Sequence, residues 1–148
     1  MHAIDSEHLP GDQTPCGVYR VPAGYLQCRL KHCVQDNLQW HFFPRLDTVM
    51  RESLLNALNQ TLHFPDYFGH NWDAAWDCLS EQVWPEGKRQ ILHLRIDADS
   101  FLAESDLHTF VELMDDACTC WASNNTACLV LIETDRRDSQ TLNQLSSL

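Results

Sequence analysis

His63, Asp66, His70, Asp73 and Asp77 stand close together in the chain and supply the imidazoles and carboxylates that a metal centre or a general acid–base pair needs. Their spacing argues against both uses. Pro65 and Gly69 separate His63 from His70, so no single helical face carries the two. An HExxH helix, a CxxC pair, a glycine-rich phosphate loop and a GxSxG elbow are all missing from the sequence. "CTC", Cys118 to Cys120, has the wrong spacing for a zinc knuckle or a redox pair. The sequence therefore predicts no enzyme, no metal site and no cofactor.

The same stretch suits binding better. "DYFGHNWDAAWDCLSE", Asp66 to Glu81, places Asp73 and Asp77 four residues apart, contains no lysine or arginine, and borders them with Tyr67, Phe68, Trp72 and Trp76. Like charges at this spacing repel on a helix by about 0.2–0.5 kcal/mol, a cost that a purely structural helix has no reason to carry. Carboxylates on a rigid helix beside aromatic anchors accept charge-assisted hydrogen bonds from arginine, which is how a basic protein surface is held. A basic surface built to grip a phosphate backbone, as in a nuclease, would accept such a helix in place of nucleic acid.

The bulk charge points the same way. Twenty-one Asp and Glu against 10 Lys and Arg give a formal charge of -11, which repels nucleic acid and anionic membranes and draws in basic partners. Between Ile96 and Asp135 there is no lysine or arginine, and Glu112, Asp115 and Asp116 fall in that interval. Such charge runs are usually solvated faces. If the helices around Asp77 and Asp116 lie side by side, their outer faces join into one negative surface. The rival reading is an acidic interaction module for a basic partner that is not a nuclease.

The elements that must position these groups can be read from periodicity and punctuation. Composition is 44% hydrophobic over 148 residues, enough for one core and one domain. The first fifteen residues, with Pro10, Gly11 and Pro15, predict a loose arm. Two or three short strands are expected from Cys16 to Phe43. Leu54, Leu55, Leu58 and Leu62 set a helical rhythm, capped by Asp47 or Ser53 and closed by Pro65. Asn71 is a strong cap for a helix from Trp72 to about Leu79, which turns Trp72, Ala75, Trp76 and Leu79 inward and Asp73 and Asp77 elsewhere. Arg89 to Asp97 alternates as a strand, and Ser105 begins the longest helix, buried through Leu107, Phe110, Val111, Met114, Cys118 and Trp121. Ala127 to Thr134 is an apolar run suited to a strand covered on both faces. From Arg136 onward the polar, serine-rich chain is expected to fray. Strands separated by helices imply an α/β fold with a largely parallel sheet.

Seven cysteines, odd in number and irregular in spacing, predict reduced thiols and a cytoplasmic protein. The start lacks the basic and apolar regions of a signal peptide, and no stretch is apolar enough to span a membrane.

"FPDYFGHNWDAAWDCLSE" closely resembles the motif of the barstar family, small cytoplasmic inhibitors of secreted ribonucleases. The resemblance runs, more weakly, from the strand near Trp40 to that ending near Thr134. It implies a small three-layer α/β domain with a three-stranded parallel sheet over residues 40–135, with a strand-rich N-terminal extension, 1–39, packed on or preceding it, and a tail, 136–148. It also implies that Tyr67, Asp73, Trp76, Asp77 and, on the later helix, Asp116 plug the active site of a basic ribonuclease, one monomer to one nuclease. Phe68, Gly69, Asn71, Glu81, Trp84, Glu112 and Asp115 are secondary candidates for that contact. The chain departs from the family pattern at His70 in place of glutamate, Trp72 in place of leucine, Ala75 in place of a bulkier residue, and in the loop "EQVWPEGKR".

Overall fold

Strand propensity near both ends of the chain and helical periodicity between them meet in one sheet. The computed structural model describes residues 14–25 and 37–148. In order these form β1 (Gly17–Val21), β2 (Leu38–Phe42), β3 (Thr48–Val49), α1 (Arg51–Leu62), α2 (Trp72–Ser80), β4 (Arg89–Arg95), β5 (Phe101–Leu102), α3 (Glu104–Ser123), β6 (Cys128–Glu133), α4 (Gln140–Asn143) and β7 (Ser146–Ser147). The sheet order is β2-β4-β6-β1-β7, with every neighbouring pair parallel, and β3 pairs with β5 apart from it. The expected α/β arrangement, a mainly parallel sheet flanked by helices, is what the chain adopts.

The alternation of β4 divides the core as its sequence predicts. Leu92, Leu94 and Ile96 join Val18, Val130 and Ile132 against the leucines of α1, Ala75 and Leu79 of α2, Phe110, Met114 and Trp121 of α3, and Leu142 of α4. Ile91 joins Val21, Tyr25, Leu129 and Leu131 on the opposite face. Residues of β6 are buried on both sides, which is why its apolar run shows no alternation.

The segment read as a strand-rich N-terminal extension supplies β1, which lies between β6 and β7, with Gly17 opposite Leu129 and Tyr19 opposite Ser146. Three expectations need correction. The resemblance implied three strands, but the sheet has five. The residues from Arg136 do not fray. Ser139 and Leu142 are wholly buried, and Glu104 Oε2 accepts hydrogen bonds from the Ser139 hydroxyl (2.9 Å) and the Thr141 amide (2.7 Å), so the polar sequence is held by a carboxylate from α3. Nor do Asp47 and Ser105 cap their helices. Met50 precedes α1, with its amide donating to Ser53 Oγ at 3.0 Å, and Ala103 precedes α3. Asp106 helps from a distance, its carboxylate accepting the Arg51 amide at the start of α1 (2.8 Å). The loose arm, apart from residues 14 and 15, and any third strand between Tyr25 and Asn37 lie outside the described residues.

Pro65 does follow the end of α1, but the termination itself falls on His63, at φ 54°. Glycine takes that left-handed conformation without the steric cost that a Cβ brings. His63→Gly should raise stability by about 0.5–1 kcal/mol, seen as a higher melting temperature.

At the far ends of β4 and β6, buried His93 and Glu133 meet at 2.7 Å. Burial, the larger influence, lowers the His93 pKa, while the hydrogen bond and charge of Glu133 oppose it. The folded protein thus takes up this proton less readily than the unfolded chain, whose imidazole titrates near about 6.5. The stability tied to this group is fully present above that value and is lost as pH falls toward the lower folded-state pKa. Urea midpoints at about pH 7 and about pH 5.5 should show a loss that His93→Gln reduces. An equal loss in the variant would place the acid sensitivity elsewhere.

Candidate functional site

Asn71 starts α2 as its residue type predicts: its Oδ1 accepts the Ala74 amide at 2.8 Å. That cap fixes the phase of the helix. Ala75, Cys78 and Leu79 are buried, Trp72 and Trp76 are half-buried and packed on the core, and Asp73 and Asp77 are exposed. A large tryptophan at position 72 thus accompanies a small, fully buried alanine at position 75. Helix α2 is tied to α3 by the Trp121 indole, whose Nε1 donates to the Leu79 carbonyl at 2.8 Å.

The approach to α2 is a tight bend. The Phe68 amide donates to the Pro65 carbonyl at 3.0 Å, and His70 sits at φ 52°. Tyr67 at its apex is 73% exposed, whereas Phe68 is 6% exposed and packs edge-on against Phe64 at 5.0 Å. Phe68, a secondary candidate for contact, therefore supports the bend from beneath. Gly69 and Asn71 are exposed beside it.

Several carboxylates elsewhere are engaged by the fold. Asp97 pairs with Arg45 and Arg95, Asp138 with Arg136, Glu133 with His93, Asp106 with the Arg51 amide and Glu104 with α4. Glu112 pairs with His108 at 2.9 Å. Others, such as Asp47, Glu52 and Asp66, have no such partner among the described residues, and on α2 and its following residue every carboxylate is of that kind. Asp73, Asp77 and Glu81 are exposed, and among the described residues no side-chain hydrogen bond or ion pair reaches any of their carboxylates. On α3, Asp115 and Asp116 are both exposed, but Asp115 leans toward β1, its Oδ1 3.4 Å from where a side chain on Gly17 would begin. Asp116 is the next position, about 100° further round the helix.

Trp84, in the loop after α2, faces inward. Its ring meets Trp121 edge-on at 5.3 Å and His41 at 5.3 Å. The large apolar side chain that this loop exposes is Val83, at 86%. Val83, Tyr67 and Glu81 edge an open groove of about 260 Å³ with Cys78 in its lining, so the loop adds an apolar element beside the acidic helix. Sequence reasoning passed over Val83, although the apolar pair Val83 and Trp84 between "EQ" and "PEGK" was the available signal. The histidines and carboxylates do not converge: among the described residues no three His, Cys, Asp or Glu are placed to hold a metal ion. The described cysteines are free thiols, and Cys28 and Cys33 lie outside the described residues. No described helix is long and apolar enough to cross a membrane.

Comparison with known proteins gives the family of the chain. The family model described as Barstar (barnase inhibitor) matches residues 46–133, well over half of the chain, and spans α1, α2, α3 and β6. "Putative ribonuclease inhibitor YrdF" of Bacillus subtilis (strain 168) is 53% identical over 32 residues, 22% of this chain. The match covers 35% of that relative's length.

Proposed function

The chain belongs to the barstar family, and from that premise we propose that it inhibits a basic ribonuclease by covering the enzyme's active site with the exposed face of α2. The observation that carries the proposal is the gathering of exposed, unengaged carboxylates beside aromatic side chains on one capped helix. Asp73 and Asp77 stand on a rigid, capped helix, with Tyr67 exposed at its approach and Trp76 half-buried beside them. In the free protein these charges lie in water, and their mutual repulsion costs little. In the complex, arginine and lysine side chains that normally hold phosphates would donate to them, and repulsion becomes attraction.

Tyr67 would lie against the nuclease's catalytic groups, Asp73 and Trp76 would line the contact, Asp77 would occupy a phosphate position and Asp116 would add a carboxylate from α3. Inhibition needs no chemistry and no cofactor from this chain. It would act as a monomer, one inhibitor to one nuclease, in the cytoplasm of a cell that makes the enzyme. The net charge of -11 would speed encounter and make association weaken with salt.

The test is a titration of the full chain into small basic ribonucleases, including one encoded beside its gene, following RNA cleavage. Stoichiometric inhibition that Asp77→Ala relieves supports the proposal. Absence of inhibition by folded protein across the panel would overturn it and favour an acidic module for a non-nuclease partner.

A further inference from the structure

A second concavity lies at the opposite end of the sheet from the loops that carry Trp84, and the acidic helix takes no part in it. Strands β1, β2, β4 and β6 all run parallel, so their carboxyl ends open on the same side, where α/β sheets most often hold small ligands. Phe42, Arg45, His93, Arg95 and Glu133 line a cavity there of about 550 Å³, together with Ala23, Gly24 and Phe43. That is the size of a small-molecule site.

Three features of its lining are unused by the fold. Phe42 is 51% exposed, yet its ring is held in place, stacked on Trp40 at 6.1 Å and tilted on His93 at 5.7 Å. Arg45 and Arg95 each donate only their Nε to Asp97, at 3.1 and 2.9 Å, so two guanidinium groups share one carboxylate. Their terminal amino groups have no hydrogen-bond partner among the described residues. His93 is 4% exposed, with Nε2 on Glu133 Oε1 at 2.7 Å, and its buried Nδ1 has no partner among the described residues. The other Glu133 oxygen already accepts the Gly24 amide at 2.8 Å. With Nε2–H donating to that carboxylate, Nδ1 is an acceptor that lacks a donor.

We propose that this cavity binds a nucleoside monophosphate, through a base stacked on Phe42 and a phosphate in the forks of Arg45 and Arg95. Each part answers one unused feature. Aromatic faces stack on bases of any identity, and guanidinium forks match phosphate oxygens. The overall charge of -11 opposes a polynucleotide far more strongly than a single phosphate, so the ligand is a mononucleotide and not RNA.

Calorimetry and amide NMR on the full chain should show saturable binding of AMP, GMP, CMP or UMP, with shifts at the Gly24 and Phe43 amides. The matching nucleosides, inorganic phosphate and benzoate should each bind about tenfold weaker or less. Phe42→Ala and Arg45→Ala alter side chains that stand largely in solvent, so both variants should fold, and each should weaken the monophosphate about tenfold. Asp77→Ala should leave it unchanged, which separates this site from the inhibitory face. No shift at those amides with any monophosphate up to about 10 mM, a concentration at which even millimolar affinity would show, would overturn the proposal. So would equal affinity for phosphate alone or for benzoate, or binding that neither variant weakens.

Discussion

Asp77→Ala should weaken the complex with the cognate ribonuclease by about 2–5 kcal/mol, roughly thirtyfold to several thousandfold, nearly all of it as faster dissociation. The range is carried over from buried charge pairs in protein complexes, those of this family among them. The Asp77 carboxylate is exposed and has no hydrogen bond or ion pair among the described residues of the free protein, so its removal should leave the fold intact. In the complex the carboxylate would be desolvated against arginine, and alanine would leave that cation buried without a partner. Glu81, at the rim, should behave differently: Glu81→Ala should mainly slow association, and the slowing should vanish at high salt. Stopped-flow association and dissociation rates separate the two. Equal acceleration of dissociation by both variants would contradict the assigned geometry.

Trp121→Ala should destabilise the free protein by about 3–5 kcal/mol, a large share of the roughly 5–15 kcal/mol typical of a domain. Trp121 is 1% exposed and among the largest fully buried side chains. Its ring supports Trp84, and its Nε1 donates to the Leu79 carbonyl near the end of α2. Trp121→Phe keeps most of the apolar volume and removes that donor, leaving the Leu79 carbonyl with the Gln82 amide at 3.2 Å, for a cost of about 1–2 kcal/mol. Urea denaturation measures both. The phenylalanine variant should also inhibit less well than Ile91→Val, a comparable loss on the opposite face of the sheet, because only the former loosens α2. Equal inhibition by the two would show that the indole stabilises without positioning the acidic face.

Local signals in the sequence were readable and distant ones were not. Asn71 and the phase of Trp72, Ala75 and Leu79 determine α2 within a few residues, so the exposure of Asp73 and Asp77 followed from helical geometry alone. Burial on both faces of β6 showed as an unbroken apolar run. The place of β1 depends on partners near the other end of the chain, and no local pattern encodes that pairing. Ser139 and Thr141 looked like a solvated tail because their burial rests on one carboxylate from α3. Aromatic residues in bends were ambiguous for another reason: Tyr67, Phe68 and Trp84 share a preference for partial burial, and only packing shows that the first faces out and the others in. Asp115 and Asp116, adjacent in sequence, are distinguished only by the approach of Asp115 to Gly17.

The position of β1 also governs when the folded protein can exist. During synthesis β1 emerges well before β6 and β7, the neighbours it pairs with. Contacts between such remote segments close large loops and slow folding, so the nascent chain passes through a stage in which α1 and α2 have formed without a complete sheet beneath them. If the chain inhibits a nuclease as proposed, a cell that made the two at the same moment would meet active enzyme before a finished inhibitor. Protection would therefore come from a standing pool of folded protein, and the pace of strand closure would set how soon that pool is replaced.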